Sequence, residues 1–255
     1  MSNLIKLSFV TVGRKTPEII DNKFMLEESP TQVVFNRGDD VIEIRRNDDF
    51  VIMNRNRLKP IASQQEINET QNYKFIDMYP IFPTIDLKEE HIYNLKQPIL
   101  ERFVDPTMSN SNYVDTIVHI NDDNLSNDLD TSRLIMFAFG NAYVQSKLLE
   151  RNNKLDVDTN GQLKEPVVVK AVSISHEKLN SVIFQLNTLR LNDNIGVKNI
   201  VYYDNKDNEL YLNRLTQDKL PYATYKNIQR QVLSCLEYNP VAYEKFLSLM
   251  AYSVV

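Results

Sequence analysis

One segment limits the fold more than any other. "EPVVVKAVSI", residues 165–174, is a nearly continuous β-branched run, and such a run is a strand. "SHEKLNSVIFQLNTLRL" follows, with Leu179, Val182, Ile183, Leu186 and Leu189 along one helical face. Beyond Gly196, "VKNIVYYD" reads as another strand, and "YYDNKDNELYL" adds a hairpin partner. The sequence therefore predicts a β-α-β-β unit, in which the crossover helix permits two parallel strands. Two helices are expected after it, near 222–237 and 240–252, the second capped by Asn239 and started by Pro240.

The N-terminal part predicts strands as well. "LIKLSFVTV" alternates over residues 4–12, and three short strands are expected near 31–36, 41–46 and 50–55. "NRGDD" and "RNDD" separate them as turns, which gives a meander or small barrel. Between the two parts, "YKFIDMYPIFPTID" holds Pro80 and Pro83 and is expected to be extended. A helix from Asp86, broken at Pro98, follows it. Residues 113–120 read as a strand, 121–130 as a polar loop, and 130–153 as a helix. The expected class is α+β. Its division is a β-rich domain over 1–60, a polar linker or loop over 61–72, and a mixed α/β domain over 73–255. No internal repeat is visible.

Several functions are excluded on composition. The 5 glycines are scattered, so a glycine-cradled phosphate loop cannot be assembled. Cys235 is the single cysteine, which excludes an intrachain disulfide framework and any multi-cysteine zinc site. His91, His119 and His176 lie far apart, and no paired-histidine motif or nucleophile elbow is present. The first residues lack the apolar stretch of a signal peptide, and the longest apolar run, "LIMFAF", is too short to span a bilayer. A cytoplasmic protein, or one incorporated into a virus particle, is expected.

One stretch imitates a calcium loop. In "LDVDTNGQLKEP", Asp156, Asp158, Asn160 and Gly161 occupy ligand and bend positions of an EF-hand, and Leu163 fits its apolar position. The bidentate Glu is missing, with Val167 in its place and Glu165 two residues early. A strand also replaces the exit helix, so "DTNG" is expected to be a turn. Asp122, Asp123, Asp128 and Asp130 are expected to form a solvated loop that complements the next helix. Neither metal nor cofactor is expected.

Charge offers one further site. Arg37, Arg45, Arg46, Arg55, Arg57 and Lys59 crowd one window, with Phe35 and Phe50 among them. Basic grooves with aromatic platforms bind single-stranded nucleic acid. However, Asp39, Asp40, Glu43, Asp48 and Asp49 nearly balance that window, and the whole chain carries −5. Tyrosine, by contrast, concentrates towards the C-terminus, where the last residues are apolar. Tyr202, Tyr203, Tyr211, Tyr243, Phe246 and Tyr252 are the expected interface residues.

The leading expectation is a non-catalytic structural or assembly protein, contacting itself and other proteins in a homo-oligomer. The abundance of residues with AT-rich codons makes a viral or phage connector or ring subunit its concrete form. The alternative is a nucleic-acid-binding accessory protein using the basic hairpin, and the third reading is a divalent-metal enzyme.

Overall fold

In the computed structural model, which describes residues 2–37, 40–74, 112–121, 126–175, 178–191, 195–204, 206, 208–214 and 235–252, the β-branched run forms an inner strand of a seven-stranded sheet. The chain begins with helices Ser2–Lys15 (α1) and Pro17–Asp21 (α2), then a long hairpin of Lys23–Arg37 (β1) and Asp40–Asn54 (β2). Helix Gln64–Glu69 (α3) and a 3-10 turn, Thr70–Asn72, lead to the undescribed segment 75–111. Strand Tyr113–Asn121 (β3), helix Asn127–Arg151 (α4), and strands Gln162–Ser175 (β4) and Lys178–Thr188 (β5) come next. Ile200–Tyr203 (β6), Asn208–Glu209 (β7), Tyr211–Arg214 (β8), Cys235–Tyr238 (β9) and helix Pro240–Ala251 (α5) complete the described elements.

The sheet order is β1-β2-β3-β4-β5-β6, with β7 also on β5, and among the described residues only the β3–β4 pair is parallel. The class is α+β, as expected. A β-α-β-β unit is present, but it begins two elements earlier than the sequence suggested, and the segment expected as its crossover helix is strand β5. Its members are β3, α4, β4 and β5, and α4 is the crossover. The predicted boundary at residue 60 falls between β2 and β3, which pair directly.

Alternation along β4 explains the layering. Val167, Val169 and Ala171 face α4, in a core with Leu134, Ala138 and Ala142. Val172 and Ile174 face the opposite way, in a core with Ile5 of α1 and with Phe246 and Met250 of α5. The sheet is thus sandwiched between helices, and β4 is buried on both sides, which accounts for its apolar run.

Two elements differ from expectation because their sequences satisfy two periods. Residues 4–12 are helix rather than strand. Leu4, Ile5, Ser8 and Val12 are buried at helical spacing, while Leu7 and Val10 face outwards. Conversely, 178–188 is strand rather than helix. Val182, Phe184 and Leu186 alternate into the α4 core, and the opposite face of the strand carries Gln185 and Asn187, which are buried and hydrogen-bonded. Ser175 pairs with Lys178, so β4 and β5 form a tight hairpin.

The strands expected at 41–46 and 50–55 are one strand, β2. The "RNDD" between them stays extended because Asp48 is buried against Arg46 and Thr31 instead of turning to solvent. The polar segment 61–72 carries α3, closed by a capping box of Ser63 and Glu66. Gln185 Oε1 accepts from the backbone N–H groups of Ile61 (2.7 Å) and Ala62 (3.0 Å), which ties this segment to the sheet.

Helix α4 starts at its N-cap Ser126, ahead of the expected Asp130. Asn239 and Pro240 start α5 as read. The helix expected near 222–237 falls mostly outside the described residues, and its last part, Cys235–Tyr238, pairs with β8 as β9. The readings at Pro80, Pro83, Asp86, His91 and Pro98, and those at Asp122, Asp123 and His176, lie outside the described residues.

Candidate functional site

The most heavily charged interior lies on the α5 side of the sheet. β1 brings Lys23, β3 brings Asp115 and β4 brings Lys170, and all three side chains have 0% exposure. Asp115 Oδ2 meets Lys23 Nζ at 3.0 Å and Oδ1 meets Lys170 Nζ at 2.7 Å. Asn54 Nδ2 (3.2 Å) and Thr116 Oγ1 (2.5 Å) donate to the same carboxylate. The ammonium groups also reach the end of α5. Lys23 donates to the Met250 carbonyl, and Lys170 to those of Leu249 and Tyr252, each at 2.8 Å.

These carbonyls are acceptors that a helix C-terminus leaves without intrahelical donors, and cations there favour the helix dipole. Burial works to raise the Asp115 pKa, but the Lys170 and Lys23 charges hold it below the usual carboxylate range. Burial pulls Lys170 down to about 8 despite Asp115. The arrangement is a clasp between three strands and a helix end. With its donors and acceptors turned on one another, it is built for packing rather than for receiving a substrate.

A second buried pair lies beneath α4. Arg46 and Asp48 are in ion-pair contact, and the guanidinium sits over the Phe137 ring, 3.1 Å from its centroid. Thr31 Oγ1 donates to Asp48 at 2.6 Å. Nε and Nη1 of Arg46 find no acceptor, and burial lowers the Arg46 pKa to about 10 while raising that of Asp48. Beside them His119 Nδ1 meets Asp49 at 2.9 Å.

The expected basic cluster does not converge. Arg37 and Arg45 lie toward the β1–β2 loop, and Arg46 is inside. Arg55, Arg57 and Lys59 follow the far end of β2, separated from Arg37 by roughly 45 Å at the usual strand rise. Arg57 pairs with Glu165 at 2.6 Å.

The calcium-like stretch forms a turn. Asp158 Oδ1 accepts from the N–H groups of Asn160 and Gln162, both at 2.8 Å, while Gly161 takes φ +80° and Asp156 meets Lys164 at 3.3 Å. Among the described residues, no group of three or more His, Cys, Asp or Glu is placed to hold a metal ion. Asp130 accepts from Ser173 (2.9 Å) and Asn180 (3.2 Å), which anchors the start of α4 to the sheet, and Asp128 is exposed in the first turn.

Of the expected interface residues, Phe246 is core at 1% exposure, and Tyr211 and Tyr243 pack against that core. The Tyr252 hydroxyl donates to the Lys59 carbonyl at 3.1 Å, Tyr202 is half-buried, and Tyr203 is exposed. Sequence reasoning missed the clasp, although a signal was there. Lys170 interrupts "VVVKAV" and Asp115 interrupts "YVDTIV", and a charge inside a two-sided strand requires a buried partner.

Fold and interior together describe an α+β packing protein whose buried charges hold its own elements. No family model matches the chain. It is similar to the large ribosomal subunit protein mL37 of Rattus norvegicus, 28% identical over 222 residues, or 87% of this chain and 50% of that protein. It is 28% identical over 230 residues to mL37 of Bos taurus, covering 90% of this chain and 52% of the relative. For mL37 of Gallus gallus the identity is 26% over 222 residues, covering 87% and 49%. The chain spans about half the length of the curated relatives it matches.

These similarities correct two expectations. The relatives are ribosomal proteins, so a viral or phage connector and a role in virion assembly are withdrawn. The cytoplasmic or particle-bound location is withdrawn with them, because the relatives are mitochondrial. Residue types with AT-rich codons say nothing about function. The expectation of a non-enzymatic chain agrees with the relatives' names.

Proposed function

We propose that this protein is a non-catalytic structural component of the large subunit of a mitochondrial ribosome, held there by contacts with neighbouring proteins and ribosomal RNA. The observation that carries this reading is the similarity to mL37 over 87% of the chain. The interior supports it. Charged and amide side chains on both faces of the sheet join helices and strands to one another, as expected of a rigid packing unit. Surface groups then supply the contacts: Arg55 and Lys59 are exposed cations, and Tyr203 is 60% exposed on β6.

The test is sedimentation of a tagged chain from lysed mitochondria through a sucrose gradient. Co-migration with the large subunit, persisting at moderate salt, is the expected result. A protein that stays at the top of the gradient while the subunit sediments would sink the proposal.

A further inference from the structure

The turn that opens β4 is closed on itself and fastened to the end of β5. Val157 and Leu163 form an antiparallel bridge, and the Asp158 N–H donates to the Gln162 carbonyl at 2.9 Å. Between them the Gly161 N–H donates to the Asp158 carbonyl at 3.0 Å. Asp158 Oδ1 accepts from the Asn160 and Gln162 N–H groups, both at 2.8 Å. Gly161 takes φ +80°, a conformation that favours a residue without Cβ. Its carbonyl accepts from the Leu189 N–H at 2.8 Å and from Thr188 Oγ1 at 3.1 Å, which ties the turn to the segment after β5.

This turn holds the one Asn-Gly dipeptide of the chain. Asn-Gly is a reactive pair, because glycine has no side chain to shield its nitrogen. Once that nitrogen has lost its proton it attacks the asparagine side-chain carbonyl carbon. A C–N bond forms, the bond from that carbon to the amide nitrogen breaks, and ammonia leaves. Water then opens the succinimide ring to aspartate or isoaspartate. Asn160 is exposed, so solvent reaches its amide. The nucleophile, however, is occupied. The Gly161 N–H is held by Asp158, and the Asn160 N–H and Gly161 carbonyl on either side of it are bonded too. Ring closure must wait for the turn to open, a local event that costs less than global unfolding.

We propose that Asn160 is a covalent modification site gated by this turn, converted to aspartate or isoaspartate at a rate set by how often the turn opens. The amide is not restored once ammonia has left, so the change marks the chain. It adds a carboxylate beside Asp156 and Asp158. Isoaspartate also lengthens the main chain by a methylene between Asn160 and Gly161. The turn bonds cannot then all close, and the Gly161 carbonyl is drawn away from Leu189 and Thr188. The site needs no partner and stands apart from the ribosomal reading.

The test follows the purified chain at mildly alkaline pH by peptide-mapping mass spectrometry, in buffer and in concentrated urea. In urea Asn160 should convert faster than any other asparagine. In buffer it should convert about tenfold or more slowly than in urea, because only the open turn reacts. Asp158→Ala removes the acceptor of two turn N–H groups and should raise the buffer rate about fivefold or more, with the urea rate unchanged. Thr188→Val removes one of the two donors to Gly161 and should raise it less. Asp158→Asn keeps an accepting oxygen and should stay within about twofold of the wild type. Hydrogen exchange in the converted chain should accelerate at Gln162 and Leu189 while β3 is unchanged.

Equal rates in buffer and urea would overturn the proposal, as would another asparagine converting first. Buffer rates that ignore both Asp158→Ala and Thr188→Val, or Asp158→Asn accelerating as much as Asp158→Ala, would show that the turn bonds are not the gate. Melting temperatures are measured alongside. If Asp158→Ala does not fold, its two rates coincide and Thr188→Val decides.

Discussion

The two buried charge groups lie against different helices and are built to different standards. At the α5 clasp every charged group has matched partners: Asp115 receives two ammonium groups and two neutral donors, and the ammonium groups also meet α5 carbonyls. Beneath α4, Arg46 presents its face to Phe137 and its charge to Asp48, yet Nε and Nη1 lack acceptors. A buried charge is costly unless paired and hydrogen-bonded. The clasp therefore specifies where α5 ends, whereas the Arg46–Asp48 pair is held in place by the packing around it.

Removing the shared carboxylate should have the largest effect. Asp115→Ala leaves Lys23 and Lys170 buried with no counter-charge, and loss of one partner from such a group costs about 3–5 kcal/mol. Urea denaturation should show a matching drop in midpoint. A change below about 1 kcal/mol would mean that water already reaches the clasp.

Lys170→Met should cost less, about 1–3 kcal/mol, because Lys23 still neutralises Asp115. What it orphans are the Leu249 and Tyr252 carbonyls. Hydrogen exchange should therefore accelerate in α5 ahead of the rest of the sheet. Uniform acceleration would show that α5 is not clasped separately.

The weaker pair should tolerate replacement. Arg46→Met with Asp48→Leu removes both charges and leaves apolar volume against Phe137, a change that is often neutral or stabilising for an under-satisfied ion pair. Asp48→Leu alone strands a buried guanidinium and should be clearly worse than the double change. If the double change is the worse of the two, the contrast between the groups fails.

The same two groups show how much the sequence discloses. The inner strands β3 and β4, the helix α4 (though not its role as the crossover) and the capped start of α5 were legible because each has one dominant period and a cap or turn residue that agrees with it. α1 and β5 were not, since the spacing of Leu4, Ile5, Ser8 and Val12, or of Leu179, Val182, Ile183 and Leu186, fits more than one element. Tertiary packing decides such cases. The calcium-like turn was legible because Asn160-Gly161 is local chemistry. The basic cluster could not be read in the same way: residues close in sequence are carried apart along β2.

The smallest effect is the pH dependence, and the two carboxyls should contribute with opposite signs. Asp115 is held below its ordinary pKa in the folded protein. Its contribution is present above the unfolded value and is lost as pH falls through the folded one. Asp48 is raised by burial, so the folded state binds its proton more tightly and acidification through that window favours folding. Each full proton difference gives a slope of about 1.4 kcal/mol per pH unit. Asp115→Asn should therefore flatten the acid-side loss of stability, and Asp48→Asn should steepen it. Lys170 adds an alkaline term: its pKa of about 8 in the folded protein lies below the ordinary lysine value, so its burial penalty eases as pH rises above about 8. Denaturation midpoints of the wild type and both asparagine variants, measured from acid to alkaline pH, check all three signs. Parallel acid limbs for the two variants would show that the pairs are electrostatically alike and would remove the contrast between them.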